Sequence, residues 1–316
     1  MMLGARVTPI AIQFYRNTLK TIPSLHKGAY SFGRRLTTLA EKLARFETMS
    51  DDPLSSRLVT LAGAYEPESV GFVKKLVKPG MTVIDAGANI GYYTRLFARL
   101  VGTSGRVVAF EPHPRVFACL SRNAGSLNNV VLVQAGVGDT AREVVLCDYL
   151  AESAQSSMAY DADRRLQVYS LLSGRESAPR AIRDLPRSDY RVKMVPIDSQ
   201  LQALAVTTVD FVKLDIEGAE LRALKGMSET LARSGAVSMI VEFNPTALRA
   251  YGSDPLELWS YLRQCGFRTR RIKERGGLEP LESEDSVGAL VLELMPTGTR
   301  AYSSVNLLCE KLSRPV

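Results

Sequence analysis

Histidine is almost missing from this chain. Its 316 residues include only His26 and His113, too few to build a histidine-rich transition-metal centre. Cysteine is equally sparse. Cys119, Cys147, Cys265 and Cys309 form no C-x-x-C pair, so neither a zinc knuckle nor a disulfide framework is expected, and a reducing cytoplasm suits them. No run of about 18 uncharged apolar residues occurs, which leaves no candidate for a membrane span. The short apolar stretch 1–12 has no small-residue cleavage site before Arg16 and Lys20, so no secretory signal is expected. What remains is ordinary for a globular protein: 46% hydrophobic and 23% charged residues exclude a disordered or fibrous chain. The length allows one large α/β domain, alone or with appendages.

The net charge of +7 is concentrated at one end. Arg6, Arg16, Lys20, Lys27, Arg34, Arg35, Lys42 and Arg45 stand against only Glu41 and Glu47. The body of the chain is therefore close to neutral, and nucleic acid is not expected as a partner. Residues 1–50 alternate apolar and basic positions. They read as one or two amphipathic helices with a break near Pro23, forming a basic helical extension. That extension can serve as a cap on the main domain or as a basic surface for an anionic membrane or partner.

From 51 onward strand-like and helical patterns alternate, which implies a mainly parallel sheet covered on both faces. Strands are expected at 81–85, 106–110, 130–134, 144–146, 210–214 and 237–242, and helices at 91–101, 114–127, 219–231 and 255–265. Segments 267–272 and 289–294 are expected to close the sheet as an antiparallel pair. The expected organisation is a domain over 51–295, interrupted by a polar, Arg- and Ser-rich insertion or lid at 148–193, with a tail over 296–316.

The strongest local signal is Val83-Ile-Asp85-Ala-Gly87-Ala-Asn89-Ile-Gly91-Tyr-Tyr-Thr94. A buried strand ends in an acid, turns through glycines and enters a helix. Gly87 and Gly91 let backbone approach a ligand, and the helix start offers free N–H groups. A dinucleotide would need G-x-G-x-x-G beneath a pyrophosphate. Here the spacing is Gly87-x-x-x-Gly91, and Asp85 would repel a pyrophosphate but attract a cationic amino group. That combination favours S-adenosylmethionine over NAD. Glu111, closing the second strand, is placed to accept ribose hydroxyls, a feature that both cofactors share. Asp139 can reach an adenine or merely occupy a turn. Asp215, Glu217 and Glu242 fall at strand ends on one rim. Three carboxylates there can orient an acceptor hydroxyl, take its proton or hold a divalent cation; Glu220 reads as a helix-dipole residue. His113 reads as a solvated loop residue.

Together GAYEP (63–67), VKPGMTVIDAGANIGYYTRLFA (77–98), GRVVAFEPHPRVFACLSRN (105–123), VDFVKLDIEGAELRALKGM (209–227) and IVEFNP (240–245) resemble the FkbM-type S-adenosylmethionine-dependent methyltransferases. The resemblance covers about residues 60–245. It implies an α/β, Rossmann-like class I methyltransferase fold with a mainly parallel seven-stranded sheet. It also implies methylation of a hydroxyl on a sugar, glycolipid or polyketide-like small molecule; RNA or protein acceptors and a non-catalytic scaffold are the alternatives. By motif match Asp85, Gly87, Ala88, Asn89, Gly91, Glu111 and Pro112 look like cofactor contacts. Tyr65-Glu66 would close over the methionine end, and Asp215, Glu217 and Glu242 would line the acceptor side, with Asp215 the first candidate base and Glu242 the second. No metal is assigned. The expected location is the cytoplasm, with peripheral membrane contact through the basic amino terminus as one use of that segment.

Overall fold

A computed structural model describes residues 23–149, 187–295 and 303–311. Segments 1–22, 150–186, 296–302 and 312–316, which include most of the expected insertion, lie outside the described residues. Among the described residues three helices precede the sheet: α1 (Pro23–Ala44), α2 (Leu54–Leu61) and α3 (Pro67–Leu76). Then come β1 (Thr82–Ala86), α4 (Tyr92–Val101), β2 (Arg106–Phe110), α5 (Pro114–Ala124), β3 (Val130–Val133), β4 (Gly136–Val137), β5 (Arg142–Tyr149), β6 (Arg187–Val195) and α6 (Ile197–Ala203). The chain continues with β7 (Phe211–Leu214), α7 (Glu220–Lys225), α8 (Ser228–Arg233), β8 (Val237–Phe243), α9 (Pro245–Ala250), α10 (Pro255–Gln264), β9 (Phe267–Ile272), β10 (Leu278–Pro280), α11 (Glu284–Leu294) and β11 (Val305–Lys311).

The main sheet runs β10-β9-β11-β8-β7-β1-β2-β3. Neighbours from β8 to β3 pair parallel, whereas β11 is antiparallel to both β8 and β9. Successive side chains in a strand point to opposite faces, and both faces here are covered. Val83, Val107, Phe211 and Ile240 pack with Tyr93, Phe97 and Val101 of α4. Their neighbours Ile84, Val108, Val212 and Met239 pack on the other face with Leu221, Leu224 and Trp259. Two-sided burial explains why β1 and β7 read as continuous apolar runs rather than alternating ones. Strand order reverses between β1 and β7, so their carboxyl ends diverge into a crevice, the usual ligand position in an open α/β sheet.

Several sequence expectations are corrected. The sheet has eight strands rather than seven, because β10 adds an antiparallel edge to β9. Residues 289–294 belong to α11, not to a strand. Ser283 caps that helix in a capping box, and Val287, Leu290, Val291 and Leu294 are buried at helical spacing. β9 instead pairs antiparallel with β11 on its inner side, so part of the expected tail lies inside the sheet. The ends of the 148–193 insertion are strand: β5 and β6 pair antiparallel from Arg142–Met194 to Tyr149–Arg187, and β4 completes a second, three-stranded sheet. The single helix expected at 219–231 is two short ones. The break falls at Gly226, where a Cβ would stand 1.9 Å from the Gly138 carbonyl oxygen.

Candidate functional site

β1 ends in a turn that only small residues can form. Gly87 has φ +82, and a Cβ there would stand 1.8 Å from the carbonyl oxygen of Asp215. The turn is thus pressed against the end of β7, where Asp215 N–H also donates to Ala86 O (3.1 Å). Asn89 (φ 49) and Gly91 (φ +94) continue the turn in the left-handed region. Gly91 starts α4 without a side-chain cap, which leaves first-turn N–H groups available to a ligand. The Gly87 and Ala88 N–H groups donate to Phe110 O (3.1 and 2.9 Å), joining the turn to the end of β2. Ala88 buries its methyl against Leu120 and Ala109, so only its backbone is on offer.

Glu111 lies one residue beyond β2. Its Oε2 accepts from Asn89 N–H (3.0 Å) and its Oε1 from His113 N–H (2.9 Å). Burial pushes its carboxyl up to about 7, against the pull of those two bonds. Asp85 is also buried, on the α4 face, where Thr94 Oγ1 donates to its Oδ2 (2.6 Å). Burial raises it to about 6, opposed by Thr94 and Lys213. Pro112 is half-buried between Glu111 and His113. His113 is buried rather than solvated: its Nδ1 accepts from Arg115 N–H (3.2 Å) at the start of α5, and its ring lies 4.8 Å from that of Tyr190 on β6. Asp139 lies in the turn between β4 and β5, where Thr140 Oγ1 donates to it (3.3 Å).

The acidic rim forms on the other side of the β1–β7 crevice. Asp215 follows β7, Glu217 follows in a left-handed turn (φ 55), and Glu242 is near the end of β8. Gly218 brings the two strand ends together: a Cβ there would stand 2.5 Å from Ala247 O on α9. One carboxylate oxygen of each of Asp215, Glu217 and Glu242 lies within 4.8 Å of the others, a spacing that would let them share one divalent cation or converge on one hydroxyl. Glu220 is fully buried and braces the turn, accepting from the Ile216 and Gly218 N–H groups (3.2 Å each). Burial, then Asp215 and Glu220, push Glu217 up to about 8. Burial, then the neighbouring acids, hold Glu242 well above the usual carboxylate range, and its Oε2 is shut off from solvent with no hydrogen-bond partner.

Sequence reasoning missed the groups that organise this rim. Lys213, on the same face as Asp85 and its register partner, donates to Asp215 Oδ2 (2.6 Å) with its ammonium 4.5 Å from the centre of the Tyr93 ring. Burial works against that charge, but Asp215 and Glu66 outweigh it and hold the ammonium well above its ordinary pKa. Tyr93 OH donates to Glu66 Oε2 (2.8 Å), as does Asn306 Nδ2 (3.2 Å) from β11, opposite Glu242 in register. Glu66 is thereby fixed at the start of α3. Tyr65 meets Tyr92 and Tyr93 edge to face at 5.5 and 6.4 Å. One signal was available: a lysine inside the otherwise apolar strand Phe211–Leu214 has no reason to be there without a partner.

A family model described as "Methyltransferase FkbM domain" matches residues 85–269, which span both halves of this crevice. The chain is 30% identical over 161 residues to 31-O-demethyl-FK506 methyltransferase FkbM of Streptomyces tacrolimicus, covering 48% of this chain and 62% of that protein. It is 28% identical over 159 residues to methyltransferase sdnD of Sordaria araneosa, covering 46% and 60%. The chain thus spans about three fifths of the length of these curated relatives. Among solved structures, it is similar to a SAM-dependent methyltransferase from Aquifex aeolicus, with 18% identity, a TM-score of 0.38 and coverage of 87% of this chain and 98% of that one.

Proposed function

Starting from a chain that belongs to the FkbM methyltransferase domain family, we propose that it methylates a hydroxyl oxygen of a sugar, glycolipid or polyketide-like acceptor, with S-adenosylmethionine as the methyl donor. The observation that carries this reading is the convergence of Asp215, Glu217 and Glu242 across the crevice from the Gly87 turn. The residues suit that donor. The Gly87 turn carries a left-handed backbone from the end of β1 to the uncapped start of α4, Glu111 is an acid at the end of β2, and the crevice is rich in carboxylates that favour a cation. When bound, S-adenosylmethionine supplies an activated methyl group on a sulfonium centre.

The protein's own task is to align the acceptor, exclude water and accept a proton. Gly87 and the uncapped start of α4 offer backbone to the cofactor, and Glu111 offers acceptor lone pairs to its ribose. Tyr65 and Glu66 flank the rim. Among the three acids, roles divide by partners. Asp215 Oδ2 is already held by Lys213 (2.6 Å), which makes Asp215 a positioning group for the acceptor hydroxyl. Glu242 Oε2 has no hydrogen-bond partner among the described residues, which leaves its lone pairs open to an acceptor proton, as a general base requires. Glu242 therefore replaces Asp215 as the first candidate base. Lys213 also bears on the cation alternative: an ammonium fixed beside Asp215 opposes a divalent ion at the same oxygens.

Two assays on one preparation test the reading. Calorimetry with S-adenosylhomocysteine should give saturable binding to the protein and to Glu242→Gln alike. Transfer of a labelled methyl group to a panel of sugar and lipid-linked alcohols should continue in EDTA and fall by about 100-fold or more in Glu242→Gln. Absence of nucleoside binding would overturn the cofactor assignment, and undiminished turnover by Glu242→Gln would overturn the base.

A further inference from the structure

Helix α1 leaves its apolar side uncovered by the other described residues. Phe32, Leu36, Leu39 and Leu43 recur at spacings of four, three and four, which aligns them along one side of the helix. They are 64%, 44%, 55% and 78% exposed. The packed side is the opposite one, and it is made of small and polar residues. Gly33 lies so near α2 that a Cβ would stand 2.3 Å from Leu54 Cδ2. Thr37 is fully buried, and Glu41 accepts from Arg57 at 2.9 Å. This inverts the usual arrangement, in which a surface helix turns its bulky apolar side to the core.

Charge borders the apolar stripe. Arg34, Arg35, Lys42 and Arg45 are all exposed, but Arg34 lies on the far side of the helix and Arg45 beyond its end, so Arg35 and Lys42 form the border. At about 100° per residue, Arg35 and Lys42 fall just beside the stripe, where their alkyl stems can lie along it while the charged heads reach outward. The acid of this helix, Glu41, is turned away and engaged by Arg57.

We propose that this side of α1 docks flat on the surface of an anionic lipid bilayer. Insertion of Phe32, Leu36, Leu39 and Leu43 into the acyl boundary removes four large apolar side chains from water, and the bordering cations meet lipid phosphates. An apolar groove on a protein partner would account for the leucines but not for the basic border; a bilayer surface takes both. No helix among the described residues is long and apolar enough to cross a membrane, so the contact is an interfacial one. The docking also reaches the site. Only Ala62, Gly63 and Ala64 separate α2, on which α1 packs, from Tyr65 at the acidic rim.

The test is co-sedimentation of the full chain with two kinds of vesicle, pure phosphatidylcholine and phosphatidylcholine mixed with phosphatidylglycerol. Both altered forms change exposed residues only, so folding is preserved and is checked by thermal melting. Binding to the anionic vesicles should weaken by about tenfold or more in Leu39→Glu/Leu43→Glu. In Arg35→Glu/Lys42→Glu the preference for anionic over neutral vesicles should vanish. Failure of the unaltered protein to sediment with anionic vesicles would overturn the proposal, as would binding insensitive to the leucine pair. A dimer in light scattering that the leucine substitutions dissolve, without vesicle binding, would assign the stripe to a second copy of the chain instead.

Discussion

The most informative single perturbation is Lys213→Met. The Lys213 side chain is 3% exposed and that of Asp215 23%, so this ion pair is largely outside the reach of solvent screening. Methionine keeps the length and apolar stem of the lysine but removes the charge. Asp85 then remains buried with no neighbouring cation, and Asp215 and Glu66 lose the ammonium that faces them. Removing one partner of a buried pair costs about 3–5 kcal/mol, and the partial exposure of Asp215 points to the lower end. Loss of the ammonium against the Tyr93 ring adds about 1 kcal/mol. At about 2–3 °C per kcal/mol for a chain of this size, the melting temperature should fall by about 8–12 °C at neutral pH. The pH dependence gives a second readout. In the altered protein burial and lost attraction both push Asp85 further up, so the native state holds a proton that the unfolded chain releases. Its deficit against the unaltered protein should therefore shrink as pH is lowered and the carboxylates neutralise. Calorimetric melts of both proteins across that range, together with Asp215→Asn and the double variant Lys213→Met/Asp215→Asn, complete the cycle. A deficit under about 1 kcal/mol, or one that does not change with pH, would refute the claim that Lys213 holds the acidic rim together.

Two further outcomes follow from the glycine turn and the acids beside it. Glu111 is raised to about 7 and Asp85 to about 6, each chiefly by burial, so both bind protons in the folded state that the unfolded chain has lost. Their contribution is largest in acid and disappears as pH rises through those values, by about 3 kcal/mol for a shift of about two units. Urea unfolding of the cofactor-free protein should show this fall, and Glu111→Gln should flatten it; an equal slope in Glu111→Gln would remove Glu111 as its source. Gly87→Ala combines a left-handed φ with a Cβ 1.8 Å from Asp215 O, whereas Gly63→Ala has a similar φ with nothing within 4 Å. The first should cost about 2–5 kcal/mol and weaken S-adenosylhomocysteine binding by more than tenfold, and the second about 1–2 kcal/mol with binding unchanged. Equal losses in the two would mean that the contact with Asp215 does not matter.

Much of the fold and the glycine turn after β1 was legible because the relevant signals are local. A buried strand, an acid, two glycines and a helix within twelve residues specify a turn whose geometry depends only on neighbours in the chain. The same holds for Glu111, which closes the next strand, and for Asp215 and Glu242 as strand-end acids. Misreadings arose where locality failed. The apolar run 289–294 has strand composition, but the Ser283 cap and helical burial decide for α11. Val305–Lys311 has no parallel-strand context in sequence, and it becomes a strand only because β8 and β9 leave a gap that it fills. His113, read as a loop histidine, is buried because Tyr190, far along the chain, covers it.

The amino-acid sequence by itself determined the alternation of strands and helices, the glycine turn after β1, the acids at the strand ends and the basic bias of the first helix. Each of these rests on periodicity, backbone freedom or charge within a few residues. The tertiary structure alone decided how each acid is held. Lys213 reaches Asp215, Tyr93 and Asn306 reach Glu66, and Glu242 Oε2 is left without a partner. These groups come from β7, α4, β11 and β8, and no pattern in the chain encodes their meeting. Only the packing of those elements into one sheet and its covering helix sets the distances over which charges interact, and with them the chemistry each carboxylate can perform.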